Sequence, residues 1–303
     1  MLKEYYDIFR RNFPFIVRED QAVYEILGDP ENKAFESRND KGELIGISLI
    51  NKNSIYMLCV DEKYRRHGIG AELLKNSEAY ILERGYDTVI LGVGDNYLMP
   101  GIPMRTKPYN EALKQDQIYP EVKDDASVFF QKRGYQHSWK AANCFDMRAD
   151  LDKVDFPEHT IGDTMDGIRY RWATLKDRLN IMKCTDDAYK SFTGYYTDES
   201  LYTPDGNQKV LIAEHAGDVC GTLIVGIETE GKGLGSIGCT AVSHNYRGKH
   251  IAVNMAILGT KYIKTIGLKK GYLGYTYSGL DKLYSHAGYL ICVYYNMAQK
   301  QLV

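Results

Sequence analysis

The sequence has little excess charge and no long apolar run, and these two absences exclude several classes of protein. Its 38 Lys and Arg residues nearly balance its 40 Asp and Glu residues, for a net charge of −2. Such a chain gives no indication of binding nucleic acid or an anionic membrane surface. No apolar run approaches the roughly 18 residues that span a bilayer, and the opening MLKEYYDIFRRNF contains no apolar signal segment. We therefore expect a cytoplasmic protein with no nucleic acid or membrane partner.

Paired cysteine motifs are also absent. The six cysteines are scattered without C-x-x-C spacing, so we expect reduced thiols. His244 and His250 lie six residues apart with no cysteine nearby, a pattern that does not favour a metal site. With 303 residues, of which 44% are apolar, the chain is long enough for two globular domains.

The chain contains an internal repeat. VDEKYRRHGIGAELLKNSEAYILERG (60–85) aligns without gaps with VSHNYRGKHIAVNMAILGTKYIKTIG (242–267) at an offset of 182. FFQKRGY (129–135) aligns with LYSHAGY (283–289) at an offset of 154. The first copy therefore has 28 more residues between its two matched blocks, the difference between the offsets. A duplicated domain with an insertion in the first copy explains both alignments.

The repeat sets the predicted domain bounds. The first domain covers residues 1–150, a polar linker covers 151–164, and the second domain covers 165–303. The insertion falls within residues 95–125, which contain four of the eight prolines. This segment is predicted to be an ordered lid that helps to shape an acceptor pocket; the alternative is a surface excursion packed on the other domain. Apolar patterns also predict a strand near 15–19 and a single strand over 290–298.

The segment after Val60 suggests a phosphate site. A predicted strand ends there, RRHGIG follows, and an amphipathic helix begins within that motif. The first N–H groups of a helix lack internal partners, and glycines allow a pyrophosphate to approach the backbone closely. Arg65 and Arg66 can add charge-assisted contacts. The alternative is a glycine-tolerant turn with solvated arginines.

These motifs resemble a known superfamily. RRHGIG is similar to motif A of the GNAT (GCN5-related N-acetyltransferase) superfamily, [QR]-x-x-G-x-[GA]. FFQKRGY resembles that superfamily's later motif, F-Y-x-x-x-G-F, and both motifs occur in order in both copies. The resemblance implies an α/β (α+β) protein of two tandem GNAT-like domains. Each would be a mixed, mostly antiparallel sheet flanked by helices and splayed between its fourth and fifth strands, where acetyl-CoA would bind.

The resemblance also implies roles for individual residues. The Val60 N–H would meet the thioester carbonyl, and the loop N–H groups would meet the pyrophosphate. The implied cofactor-binding residues of the first copy are Leu58, Cys59, Val60, Arg65, Arg66, His67, Gly68, Ile69, Gly70, Ala71, Asn96 and Phe130. A second site in the other copy would use Val242, Arg247, Gly248, Lys249, His250, Ile251 and Ala252.

The two copies depart from the family pattern in opposite ways. His250 replaces the first glycine of motif A, so we expect the cofactor in the first copy. Tyr284 matches the family's tyrosine that protonates the leaving thiolate, whereas the first copy has Phe130 there. Asp95 and His137 are candidate general bases, although a water chain can replace a single base.

The implied function is transfer of acetyl from acetyl-CoA to an amine of a small molecule, such as an amino sugar, polyamine, amino acid or antibiotic. The attack is direct and needs no metal. A protein lysine or N-terminus is the alternative acceptor. A different class of function, non-catalytic acyl-CoA binding or sensing, also fits Phe130 and His250. The second copy could serve as a scaffold or a dimer contact, and the protein is expected to be a monomer or homodimer.

Overall fold

The computed structural model describes residues 1–93, 97–104, 125–138, 144–277 and 279–302. Its helices are α1 (Leu2–Asn12), α2 (Asp20–Leu27), α3 (Ile69–Glu83), α4 (Asp125–Gln131), α5 (Arg178–Tyr189), α6 (Ile251–Thr265) and α7 (Asp281–Ser285). Its strands are β1 (Lys33–Arg38), β2 (Leu44–Asn51), β3 (Ser54–Val60), β4 (Thr88–Leu91), β5 (Ile102–Met104), β6 (Gln136–His137), β7 (Cys144–Asp150), β8 (Thr164–Met165), β9 (Ile168–Trp172), β10 (Gln208–His215), β11 (Asp218–Ile227), β12 (Leu234–Val242), β13 (Lys270–Tyr277), β14 (Leu290–Asn296) and β15 (Ala298–Gln301).

The chain forms two compact units. Unit 1 comprises Met1–Phe145 and Val293–Val303. Its six-stranded sheet has the order β1-β2-β3-β4-β15-β6. The strand pairs are antiparallel except for β3 and β4, which are parallel. The last strand of the chain thus lies inside the sheet of unit 1, where Ala298 is fully buried in a cluster with Phe130.

Unit 2 comprises Asp146–Cys292. Its sheet runs in the order β7-β13-β12-β11-β10-β9-β8. The pairs β8–β9, β9–β10, β10–β11 and β11–β12 are antiparallel, and β12–β13 is parallel. Each unit is therefore a mixed, mostly antiparallel sheet with helices packed on it, which confirms the predicted fold class.

The repeat found in the sequence is kept in the strand pairing. Ser54 lies opposite Ile90 in unit 1, and Ser236 lies opposite Tyr272 in unit 2. Ser54 and Ser236 are related by the offset of 182 found in the sequence repeat, and so are Ile90 and Tyr272. A Cβ at Gly46 would meet the Ile69 side chain at 3.1 Å, so the absence of a side chain at Gly46 lets α3 lie close to β2.

Two predictions about strands were wrong. Residues 15–19 are not a strand: Ile16 donates its N–H to Phe13 in a turn, and the carbonyls of Ile16 and Arg18 accept from the Arg10 guanidinium. The single strand over 290–298 is broken at Met297. Its first part forms β14 and its second part forms β15, in different sheets. Residues 293–303, assigned to the second domain from the repeat, lie in unit 1.

All six cysteines are free thiols, and four of them are buried. Among the described residues, no helix combines the length and the apolar character needed to cross a membrane.

Candidate active site

The parallel strands β3 and β4 pair only briefly. Their register covers Ser54 and Ile55 opposite Ile90 and Leu91. Beyond this point the cavity in unit 1 opens, with a volume of about 810 Å³, and residues 56–60 of β3 line it. The predicted cofactor residues that line this cavity are Leu58, Cys59, Val60, Arg65, Arg66, Gly68, Gly70, Ala71 and Phe130.

The backbone of β3 presents two positions to the splayed side. Asp61 donates its N–H to Ile45 at 2.8 Å, which marks a hydrogen-bonded antiparallel pair. The next pair, Gly46 with Val60, is therefore a non-hydrogen-bonded pair. The N–H and C=O groups of Val60 point away from β2, and those of Leu58, two residues earlier, do the same. These are the two strand positions at which the family resemblance implies cofactor contacts.

The loop between β3 and α3 adopts a left-handed backbone at two positions. Arg66 has φ +68° and Gly68 has φ +88°. Gly68 is the N-cap of α3, and its carbonyl accepts from the N–H groups of Ala71 and Glu72 at 2.9 and 3.1 Å. By helix geometry the preceding N–H groups, at Ile69 and Gly70, have no carbonyl one turn earlier to bind. The loop and the first turn thus form a site with anion-binding geometry.

Arg65 has a bracing role in this loop. Its Nε donates to the Val60 carbonyl at 2.8 Å and its Nη2 donates to Asn12 Oδ1 at 2.9 Å. Arg247 of the second copy likewise donates its Nε to Val242, at 3.4 Å. The first arginine of the motif therefore ties the loop back to the end of its strand in both copies.

Helix α4 forms another side of the cavity. Phe129 and Phe130 line it, followed by Lys132 and Arg133. Arg133 lies over the Phe129 ring, 3.8 Å from its centroid, and donates to the Phe129 carbonyl at 2.8 Å. Phe130 is 7% exposed and packs edge-on against Tyr135. Because Phe130 has no hydroxyl, this position supplies no proton to a leaving group.

The first residues of the predicted insertion close the cavity from the end of β4. Met99, Gly101, Ile102 and Pro103 are lining residues. A Cβ at Gly92, where φ is +91°, would lie 2.6 Å from the backbone of both Met99 and Gly101. Only glycine therefore allows this segment to approach β4 so closely. The rest of the predicted lid, residues 105–124, lies outside the described residues, as do Asp95 and Asn96.

The second copy has the same loop backbone with its residues exchanged. Gly248 has φ +77° where the first copy has Arg66, and His250 has φ +56° where the first copy has Gly68. His250 is the N-cap of α6. The loop thus keeps its shape, with one glycine and one other residue at the two left-handed positions.

Two buried tyrosines contact β12 of the second copy. Tyr196 is fully buried and donates its hydroxyl to the Cys239 carbonyl at 2.6 Å. Cys239 corresponds, at the offset of 182, to Met57, which lines the cavity of unit 1. The Tyr284 hydroxyl lies 3.2 Å from Thr240 Oγ1, and burial raises the Tyr284 pKa to about 12. Both tyrosine hydroxyls are thus engaged with β12.

Other predicted residues lie away from the cavity lining. His137 is on β6, paired with Ala298 of β15, and is not among the lining residues. The Ile69 side chain packs toward Gly46 on β2 instead, and His67 is exposed. Of the loop side chains, those of Arg65 and Arg66 line the cavity.

Several lining residues were not predicted from the sequence. Asn12 and Phe13 at the end of α1, Gly92 after β4, and Lys132 and Arg133 after α4 all belong to the site. Lys132 and Arg133 belong to the FFQKRGY motif, so their positive charge could have predicted that they face an anionic ligand. No local pattern marks Asn12, which reaches the cavity through the packing of α1.

Comparisons with known proteins agree with this geometry. Residues 2–104 match the model of the acetyltransferase (GNAT) family. No curated protein matches the chain.

Solved structures match over nearly the whole chain. A tandem GNAT protein from the clavulanic acid biosynthesis pathway has a TM-score of 0.66 and 12% identity, over 100% of this chain and 95% of that one. A GCN5-related N-acetyltransferase from Sphaerobacter thermophilus has a TM-score of 0.66 and 18% identity, over 99% and 92%. A fungal multi-domain GH3 β-N-acetylglucosaminidase, described as having a GCN5-related glucosamine N-acetyltransferase region, has a TM-score of 0.71 and 17% identity; 98% of this chain covers 36% of that one. At these identities the likeness establishes the fold. Residues 2–104 thus match the acetyltransferase (GNAT) family, and the whole chain has the fold of a tandem GNAT protein.

Proposed function

We propose that the protein transfers an acetyl group from acetyl-CoA to an amine of a small molecule, using the cavity of unit 1. One observation carries this proposal: a cavity of about 810 Å³ lies where β3 and β4 diverge, and the glycine-containing loop forms part of its lining. The family match of residues 2–104 supports an N-acetyltransferase activity in general.

The residues present fit a CoA ester. Four cations, Arg65, Arg66, Lys132 and Arg133, line the cavity and can oppose phosphate charge. The outward-facing backbone groups of Leu58 and Val60 can pair with the amides and the carbonyl of the pantetheine arm. The inner wall is apolar, which favours the burial of an uncharged arm over that of a charged one.

The chain would act mainly by positioning and by polarising the thioester. Acetyl-CoA supplies the reactive acetyl thioester when bound. The Val60 N–H would donate to its carbonyl oxygen, where negative charge develops as the amine attacks. The amine nitrogen forms a bond to the carbonyl carbon, the carbon–sulfur bond breaks, and the amine loses a proton to solvent. Since a thiol of pKa about 8.5 is a tolerable leaving group, Phe130 need not be a proton donor.

The acceptor end of the cavity favours a small molecule over a protein tail. Phe13, Met99, Ile102 and Pro103 are apolar residues that line the cavity. The fungal neighbour is described as a glucosamine N-acetyltransferase region, so glucosamine is the first acceptor to test, followed by polyamines and amino acids. A peptide with a free N-terminus serves as the comparison.

The test is calorimetric titration of acetyl-CoA into the purified chain and into two matched variants, Gly68→Asp and Gly248→Asp. Both glycines have positive φ, and a Cβ at either meets no protein atom within 4 Å. Each substitution therefore carries similar backbone strain, and a difference between them reports on the ligand. We expect one site per chain, lost in Gly68→Asp and kept in Gly248→Asp.

Other results would change the proposal. Loss only in Gly248→Asp would move the cofactor to the second copy and to Tyr284. No binding by the wild-type chain would remove the proposed function. If acetyl-CoA binds but no amine in the panel releases free CoA, the non-catalytic binding or sensing role is favoured. In that case Phe130→Tyr should leave acetyl-CoA affinity nearly unchanged.

A further inference from the structure

A buried polar side chain at the end of α1 reaches the cavity although no sequence motif includes it. Asn12 is the last residue of α1, is 3% exposed and lines the cavity. A buried amide is costly unless its hydrogen bonds are made. The contacts of Asn12 therefore indicate what the residue does.

The Asn12 amide joins three parts of unit 1. Its Nδ2 donates to Asp61 Oδ1 at 2.9 Å and to the Ile8 carbonyl, one helical turn earlier, at 3.0 Å. Its Oδ1 accepts from Arg65 Nη2 at 2.9 Å. Asp61 in turn forms an ion pair with Arg11 at 2.9 Å. The end of α1 is thus bound both to the start of the loop and to the arginine within it.

The hydrogen bond to Arg65 fixes how that side chain sits. The guanidinium is planar, so its contacts with Asn12 Oδ1 and with the Val60 carbonyl together define its orientation. The remaining N–H groups of Arg65 can then be presented to a ligand in the cavity. Without Asn12 the Arg65 side chain would keep one anchor and gain rotational freedom, at an entropic cost when it binds a ligand.

The second copy has the same tie with different chemistry. Arg247 Nη2 donates to the Ala188 carbonyl at 3.0 Å, near the end of α5. Asp187 accepts from the His244 N–H at 2.8 Å. Here a backbone carbonyl takes the place of the Asn12 side chain. Only in the first copy does a buried side chain that lines the cavity hold the arginine.

We propose that Asn12 is a positioning residue for the diphosphate part of the cofactor site, acting through Arg65. Its amide is engaged on both sides by protein groups, so it orients the loop arginine rather than contacting the acetyl group. The inference rests on the proposed function. Through Asn12, helix α1 is coupled to the phosphate loop. Phe13, the residue after Asn12, also lines the cavity.

The test measures two ligands with Asn12→Ala: CoA by calorimetry, and inorganic pyrophosphate by its competition with CoA. Removing one hydrogen bond that orients a charged group should weaken CoA binding by about tenfold. The affinity for pyrophosphate should fall by a similar factor, because the lost interaction is one that orients Arg65 toward the diphosphate. A loss for CoA with pyrophosphate unchanged, or no loss for either, would overturn the proposal.

A swap of the two partners separates positioning from damage to the fold. Asn12→Asp places a carboxylate beside Asp61 and should weaken CoA binding at least as much as Asn12→Ala. Adding Asp61→Asn restores a donor and an acceptor in reversed order, and CoA affinity should recover to within about threefold. A folded double variant without recovery would overturn the proposal, even if Asn12→Ala does not fold.

Asp187→Asn in the second copy is the matched control, and it should leave CoA affinity unchanged. An equal loss in this control would show that the effect is not specific to Asn12. Titration of the wild-type chain distinguishes the two proposals: if it binds no CoA, the proposed function fails and this inference with it, whereas CoA binding that Asn12→Ala leaves unchanged overturns this inference alone.

Discussion

The two copies share a loop, but their splayed strands differ. Both loops have two left-handed positions, filled by Arg66 and Gly68 in one copy and by Gly248 and His250 in the other. A non-glycine residue there costs about 1 kcal/mol or more, and each copy has one. The motif residues thus differ while the backbone conformation is the same. The second copy therefore keeps the loop although His250 replaces the glycine of the motif.

A second difference lies in the strand that leads into the loop. In unit 1 the strand segment containing Met57 lines a cavity. In unit 2 the corresponding carbonyl, that of Cys239, accepts from the buried Tyr196 hydroxyl. Burial in this apolar setting raises the Tyr196 pKa, so the group remains a neutral donor. The groups that contact this strand, more than the loop motif, therefore distinguish the two copies.

The largest effect is expected from the end of the chain. Ala298→Asp places a carboxylate at a fully buried position between β4 and β6. An uncompensated buried charge should lower the free energy of unfolding by about 4 kcal/mol. Hydrogen exchange should show lost protection in β3 and β4 and retained protection in β11 and β12. The exposed neighbour Gln299→Asp is the control, within about 0.5 kcal/mol of wild type. Equal loss in both units would contradict the assignment of β15 to unit 1.

A smaller effect is expected from the glycine after β4. Gly92→Ala puts a Cβ 2.6 Å from two backbone groups, at φ +91°, and should cost about 3 kcal/mol in unfolding free energy. The corresponding residue of the second copy, Gly274, lies at the same offset of 182. Its Cβ would meet the Tyr272 ring at 3.3 Å without a positive φ, so Gly274→Ala should cost less than about 1.5 kcal/mol. Chemical denaturation of both variants checks the order, and a reversed order would refute this account of the cavity wall.

The smallest effect is expected from the tyrosine that contacts β12. Tyr196→Phe removes a buried donor and leaves the Cys239 carbonyl without it, at a cost of about 1 kcal/mol. The affinity of unit 1 for acetyl-CoA should stay the same. Tyr195→Phe, at a side chain that is 60% exposed, should change neither quantity. Weaker acetyl-CoA binding in Tyr196→Phe would contradict the separation of the two copies drawn above.

Much of the fold could be predicted because the repeat is strong and local. The offset of 182 held in the pairing of Ser54 with Ile90 and of Ser236 with Tyr272. The helix after the first loop begins at Ile69, within the motif as predicted, and the helix after the second loop begins at the corresponding Ile251. These features depend on apolar periodicity and on turn residues, and both signals come from residues that lie close together in the sequence.

The strands at the chain end could not be predicted in the same way. An apolar run states that a segment is buried, but it does not state which strand it pairs with. LICVYYNMA therefore read as one strand, although Asn296 pairs with Ile102 and Ala298 pairs with Leu91. The predicted strand near 15–19 was wrong for a related reason. The Arg10 side chain donates to the carbonyls of Ile16 and Arg18, and an apolar pattern does not indicate such hydrogen bonds.

The sequence by itself determined that the domain is duplicated, that each copy has the loop, and that the motifs resemble those of the GNAT superfamily, because these depend on short segments with fixed local geometry. Only the tertiary structure decided that the end of the chain completes the sheet of the first copy, that Asn12 holds Arg65, and that Tyr196 occupies a strand carbonyl in the second. Each of these is a contact between segments more than 40 residues apart along the chain, and which distant groups meet is settled by packing.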